Sequence, residues 1–274
     1  MASSEPIPNS DIVIRREGTG DYAAVFSHGF LDDQYAWSTM IDQLTASDFE
    51  TVTFDLPGFG ERAEACGPYT YDRFAADVAA VVDTVGKPFV IVGHSMSGPI
   101  VELVAASRPD HAIGLILLAP APMGGFRLPE EVIEQLRSLG QLGTPELEAV
   151  RQQLAPAAPE AELKRLATVG AKLRPDVVRA VADMFNNGYP GGAGPSAFEG
   201  PVLLLRGGSD ETVTRELLAS AVTARFGPQA TVGEIDGAHH WSHLERSAAV
   251  AAEIDRFLAS TTAAADVASV TSAS

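Results

Sequence analysis

The residues best placed by type and spacing to do chemistry lie in the run Phe89-Val90-Ile91-Val92-Gly93-His94-Ser95-Met96-Ser97-Gly98. An apolar strand signal runs straight into a tight turn with a serine near its tip. Gly98-Pro99 then opens a helix, where proline is tolerated because its missing N–H would have no intrahelical acceptor. A serine hydroxyl is a weak nucleophile until it is held clear of the strand, next to a base and beside backbone N–H groups, and a strand–serine–helix turn provides all three. Such a turn strains the serine's backbone and crowds the positions two before and two after it. Gly93 and Ser97 put small residues at both. Ile100, Val101, Leu103 and Val104 make the following helix apolar nearly all round, as a helix under the centre of a sheet requires.

Three further stretches fit around this turn. His28-Gly29-Phe30 follows the strand signal Ala23-Ala24-Val25-Phe26, Pro201 to Leu205 runs into Arg206-Gly207-Gly208-Ser209-Asp210, and Gly237-Ala238-His239-His240-Trp241-Ser242-His243-Leu244-Glu245 lies near the end of the chain. Together with the serine elbow, these segments resemble the α/β-hydrolase family from Ile12 to about Ala259. The resemblance implies a serine, acid, histidine order along the chain, with Asp210 in the family's G-x-x-D turn. It implies His240 as the base by register, although His239 stands where the family usually has glycine. The His-Gly-Phe start resembles the family's oxyanion loop, which makes the backbone N–H groups of Phe30 and Met96 the implied oxyanion donors. Phe30, Met96 and Trp241 then become candidates for lining a substrate pocket.

The chemistry implied is acyl transfer to water. His240 takes the Ser95 proton as the hydroxyl attacks a carbonyl, Asp210 orients the imidazolium, and the two N–H groups bind the developing oxyanion. No metal or organic cofactor is required. Serine at the elbow argues against the family's dehalogenases and epoxide hydrolases, whose elbows carry aspartate. The aliphatic faces expected of the cap, with no Arg or Lys inside the elbow or oxyanion loop, favour an uncharged, fairly apolar ester or lactone; a cofactor-free haloperoxidase or perhydrolase, a C–C bond hydrolase, and a ligand-binding receptor on a hydrolase fold remain open. Glu211 and Asp236 are the fallback acids. His239, His240 and His243 also have the spacing of a metal cluster, but no carboxylate-rich motif accompanies them. His28 reads as a structural loop residue, His94 as packed beside the elbow and His111 as solvent-facing.

The elements that must position these residues alternate as a doubly wound, mostly parallel α/β sheet requires. Strand signals fall at Ile12 to Arg15, Ala23 to Phe26, Thr51 to Phe54, Phe89 to Val92, Ile113 to Leu118, Val202 to Leu205 and Thr231 to Ile235. Between them run helical patterns, including Phe74, Val78, Val81 and Val85 after a Thr70 cap, and Val250, Ile254, Phe257 and Leu258 near the end. The family usually opens with a two-strand hairpin, whereas only one clear strand precedes Gly18, so the first strand is expected to be vestigial or absent. From 121 to 199 the strand signal gives way to four aliphatic helical stripes, Leu128 to Leu139, Leu147 to Leu154, Leu163 to Val169 and Val177 to Phe185, expected to form a cap inserted into a core of 11–120 and 200–260. Residues 1–10 are expected to be flexible and 261–274 a disordered tail.

Composition sets outer limits. The 274 residues are 46% hydrophobic, enough for one domain of this class with a large core. A formal charge of −17 repels phosphate backbones and anionic lipid, so nucleic-acid and membrane partners are not expected and a small-molecule substrate is. The single cysteine, Cys66, rules out an intramolecular disulfide. No basic segment followed by an apolar core stands at the start, which makes a cytoplasmic location the default expectation.

Overall fold

The computed structural model describes residues 3–8 and 10–272, from 264 onward through the backbone alone. Eight strands, β1 (Ser3–Pro6), β2 (Val13–Glu17), β3 (Tyr22–Ser27), β4 (Phe49–Phe54), β5 (Phe89–His94), β6 (Ala112–Leu118), β7 (Val202–Gly207) and β8 (Ala230–Ile235), form one sheet in the order β1-β2-β4-β3-β5-β6-β7-β8. β1 and β2 run antiparallel and β2 pairs antiparallel with β4, while every pairing from β4 to β8 is parallel. The longer helices are α1 (Tyr71–Val85), α2 (Ser97–Ala106), α3 (Glu130–Ser138), α4 (Thr144–Leu154), α5 (Glu160–Gly170), α6 (Pro175–Asn187) and α7 (Ser247–Ser272).

The central strands are continuous apolar runs because both their faces are covered, the usual condition of a parallel sheet. Alternate side chains go to opposite layers. Phe89 and Ile91 join the cluster that includes α1 and α2, whereas Val90 and Val92 join the one that includes Trp37, Met40 and α7. The four helices α3 to α6 lie in sequence between β6 and β7, where the aliphatic stripes predict them. Among the described residues, no helix is long and apolar enough to cross a membrane.

Two expectations at the chain ends are corrected. The opening strand is present: Ser3–Pro6 pairs with Val13–Arg16 and completes a hairpin, and Ile7 is buried. Its signal is polar because it is an edge strand with no face in the core, and it is held by charge, with Arg16 bridging Glu5 at 2.8 Å and Glu50 behind it. Pro6 is tolerated there because an edge strand need not donate outward. Met1, Ala2 and Asn9 lie outside the described residues. At the other end, α7 continues through the expected tail to Ser272, and Thr261 is buried beside Gly114. An alanine-rich segment has high helix propensity and extends an existing helix without a new nucleation step. Ala273 and Ser274 lie outside the described residues.

The crowding expected at the elbow is present. A Cβ on Gly93 would sit 2.6 Å from Val101 Cγ2 and 2.8 Å from the Ser97 carbonyl oxygen, which the backbone of α2 cannot relieve. Gly93→Val is therefore expected to lower stability by roughly 1–3 kcal/mol or more, read from urea unfolding midpoints. A variant as stable as the parent would show that α2 is not clamped against β5.

Candidate active site

Ser95 sits between β5 and α2 with φ +53°, a left-handed conformation that costs a non-glycine residue about 1–3 kcal/mol. The neighbouring strand holds it there. Ser95 N–H donates to the Leu118 carbonyl at 2.9 Å, and the Ser95 carbonyl accepts from Gly98 N–H at 3.0 Å and Ala121 N–H at 2.9 Å. The conformation lifts the hydroxyl off the sheet toward the loop after β8. There Ser95 Oγ lies 2.9 Å from His240 Nε2, and His240 Nδ1 lies 2.9 Å from Asp210 Oδ2. The three residues thus form one continuous hydrogen-bonded chain, although they come from three separate strand ends.

Asp210 is fixed from several directions. Its other oxygen accepts the N–H groups of Thr212 at 2.8 Å and Val213 at 3.0 Å, and the buried Arg206 guanidinium holds the Asp210 and Val213 carbonyls at 2.9 and 3.0 Å. Burial pushes the Asp210 carboxyl up, but the facing His240 and the donated hydrogen bonds outweigh it and hold the group below the usual carboxylate range. The fallback acids, Glu211 and Asp236, are exposed and take no part in this chain.

The three histidines of the last loop diverge. His239 faces Glu245, with Nδ1 at 3.1 Å from Oε1. His243 is fully buried and stacks on Trp37 at 4.6 Å between ring centres, and burial drives its pKa well below the ordinary value. Only His240 of the three reaches Ser95. Among the described residues, no group of three or more His, Cys, Asp or Glu side chains is placed to hold a metal ion.

His28 is buried and structural in position, its Nε2 accepting the Leu56 N–H at 3.1 Å, while Ser97 Oγ donates to the His28 carbonyl at 2.5 Å and ties this loop to α2. His94 is buried beside the elbow and donates through Nε2 to the His240 carbonyl at 3.0 Å. His111 is exposed. Phe30 and Met96 have backbone N–H groups without an acceptor among the described residues. The Phe30 side chain lies edge-on to Phe185 at 5.2 Å, and both it and Trp241 line the cavity above Ser95. Met96 does not: its side chain is fully buried in the core, because the turn that raises Ser95 directs the next side chain downward.

That cavity is ≈ 320 Å³ and opens onto Ser95 and His240. Leu128, Val132, Leu136, Leu147, Val150 and Leu154 bring the apolar faces before and along α3 and α4 to it, and Phe185 closes one side. α5 contributes nothing to the lining, since Leu163 and Leu166 pack on Ala36, Trp241 and Leu244 instead. Two charged residues went unrecognised in the sequence. Arg151 on α4 also lines the cavity, yet its charge is matched by the fully buried Asp32, Nη1 to Oδ1 at 2.9 Å. The second Asp32 oxygen accepts Trp241 Nε1–H at 2.9 Å. Burial opposes ionisation of Asp32, but Arg151, His94 and Trp241 together hold its carboxyl far below the usual range. Nothing in the spacing of Arg151, on an otherwise unremarkable charged helix, distinguishes it from a surface arginine.

A sequence model of the alpha/beta hydrolase family matches residues 24–253, and the chain belongs to that family. Sequence and fold thus agree on the class, a protein of the alpha/beta hydrolase family. Among curated relatives, Lipase LipV of Mycobacterium tuberculosis is 33% identical over 142 residues, 51% of this chain and 53% of the lipase, so the alignment spans about half that protein's length. Strigolactone esterase RMS3 of Pisum sativum is 26% identical over 261 residues, covering 88% of this chain and 94% of the esterase. Among solved structures, a bromoperoxidase from Bacillus anthracis superposes with a TM-score of 0.77 over 96% of this chain and 99% of its own at 20% identity, a likeness of fold.

The Asp32 pair generates a pH prediction. Because the folded-state pKa lies below the unfolded value of about 3.9, the stability Asp32 contributes is complete above that value and is lost as pH falls beneath it. Asp32→Asn leaves a buried cation unmatched and is expected to cost about 3–5 kcal/mol near pH 7, with the gap from wild type narrowing as pH falls from about 4 to 3. Urea unfolding at pH 7, 4 and 3 measures it, and a gap constant across that range would contradict the assignment.

Proposed function

We propose that this protein is a serine hydrolase of uncharged, fairly apolar carboxylic esters or lactones, working through an acyl-enzyme on Ser95. The observation that carries the reading is the Asp210–His240–Ser95 hydrogen-bonded chain opening into a cavity lined by leucine, valine and phenylalanine. The relatives named as a lipase and an esterase support it.

The proposed mechanism uses each contact in turn. His240 Nε2 accepts the Ser95 proton as Oγ attacks the carbonyl carbon, and Asp210, already ionised and hydrogen-bonded to Nδ1, stabilises the imidazolium. The carbonyl oxygen becomes an oxyanion facing the N–H groups of Phe30 and Met96, which have no acceptor among the described residues. His240 then gives its proton to the leaving alkoxide, and a water activated by the same imidazole releases the acid. The substrate class follows from the lining. The volume falls within the range of small-molecule pockets. The charge of Arg151 is already matched by Asp32, and Glu211 at the cavity lining adds a negative charge, so a substrate carboxylate would be desolvated without a free cation to meet it.

Two measurements test this reading. Ser95→Ala and His240→Ala should lower kcat by roughly 10⁴ to 10⁶ with the fold intact, while His239→Ala is milder. Near-normal turnover by a folded Ser95→Ala protein would sink the mechanism. Across p-nitrophenyl esters of increasing chain length, each methylene buried in the cavity is worth about 0.8 kcal/mol, or about fourfold in kcat/KM, until the space is full. Acetate esters and dicarboxylate monoesters should be poorer substrates, and a preference for anionic esters would contradict the reading of the cavity.

A further inference from the structure

We infer that Arg151 is a positioning residue that couples the seating of the cap to the geometry of the oxyanion loop. This rests on the reading of Phe30 N–H as an oxyanion donor. The loop from Gly29 to Asp32 is a tight turn, closed by Asp32 N–H on the Gly29 carbonyl at 3.3 Å, and its third residue, Leu31, has φ +63°. A leucine keeps such a conformation only where its surroundings over-determine it. On the side before Phe30 the core does this, since Ser97 Oγ holds the His28 carbonyl and a Cβ on Gly29 would meet His94 Nδ1 at 2.4 Å. On the side after Phe30, it is the cap that does so. Arg151 Nη2 donates to the Leu31 carbonyl at 2.5 Å while Nη1 donates to Asp32 Oδ1 at 2.9 Å, a two-pronged hold from two nitrogens of one planar guanidinium, which the single nitrogen of a lysine reproduces only in part.

The same helix reaches the base. The Arg151 guanidinium lies 5.2 Å over the Trp241 ring, which itself donates to Asp32, and the Leu154 carbonyl at the end of α4 accepts the His240 N–H at 3.4 Å. Just beyond, Ala157 N–H donates to Glu245 Oε1 at 3.1 Å. The stretch Arg151 to Ala157 is therefore a strap fastened to both loops that flank Ser95. When it is seated, Phe30 N–H is pinned between two fixed carbonyls; when it lifts, Leu31 is free to relax out of its strained conformation and the donor moves with it.

The test separates positioning from bulk stability. Wild type, Arg151→Met, Arg151→Lys and the double variant Asp32→Asn/Arg151→Met are compared on one p-nitrophenyl ester, with thermal unfolding as a control. Each is also titrated with an alkyl trifluoromethyl ketone, which adds the serine as an oxyanionic hemiketal, and with the corresponding methyl ketone. Removing a whole oxyanion donor typically costs about 10²–10³ in kcat, so a displaced one should lower kcat roughly 10- to 100-fold with KM changed less than about threefold. Trifluoromethyl ketone affinity should fall in step with kcat while methyl ketone affinity holds, and Arg151→Lys should recover part of both. If Arg151→Met does not fold, the double variant, which removes both charges and keeps an acceptor for Trp241, carries the same comparison. A folded variant with kcat within twofold of wild type, or one in which both ketones weaken equally, overturns the proposal. A wild-type protein that hydrolyses no ester and does not distinguish the two ketones overturns the hydrolase reading and the strap with it, whereas an active wild type beside an unaffected Arg151→Met overturns the strap alone.

Discussion

The site depends on one backbone conformation, the left-handed turn at Ser95. It is unfavourable by itself, and it exists because β5 is wedged between β3 and β6, because Leu118 and Ala121 hold both ends of the Ser95 peptide unit, and because Gly93 lets α2 start close against the strand. The strain is small beside the burial of Phe89 to Val92, each of which contributes about 1.5–3 kcal/mol when removed from water. The sheet can therefore impose a conformation that a serine in a free loop would leave at once. Everything at the site is referred to that turn: the hydroxyl, the following N–H of Met96, and the Ser97 side chain that fastens the neighbouring loop.

A second constraint is how charge is kept ionised under an apolar cap. Asp210 and Asp32 are both buried carboxylates, and both are held low by donors set in place beforehand. Asp210 faces an imidazole that can gain a proton, which suits a group meant to stabilise a transient cation. Asp32 faces a permanent guanidinium, which suits a fixed joint. Two aspartates of similar burial so come to differ in what they can do, and the difference lies in the partner.

Most of the fold and much of the candidate site were legible in the sequence because they are written in local patterns. The buried strands are unbroken apolar runs, and the elbow's small residues stand at fixed distances from the serine. His240 was separable from His239 and His243 by register, and the structure places only His240 next to Ser95. What was not legible depends on contacts distant in sequence. The strand Ser3–Pro6 is held by the Arg16 ion pairs, not by hydrophobic alternation, and the helix reaches Thr261 because Gly114 leaves room for Phe257 and Thr261 against the sheet. Met96 points into the core and not into the pocket, because adjacency along the chain does not give direction at a turn. Arg151 and Asp32 lie 119 residues apart, and neither has a local signature.

The central claim, that Ser95 is acylated through His240, is tested most directly by mass spectrometry of the intact protein. The wild type and the His240→Ala variant are each mixed with a p-nitrophenyl ester of medium chain length and quenched with acid within the first turnovers, followed by peptide mapping. The account predicts one acyl group on the peptide containing Ser95 in the wild type and none in the His240→Ala protein. An acyl group on another residue, or equal labelling of both proteins, would contradict it.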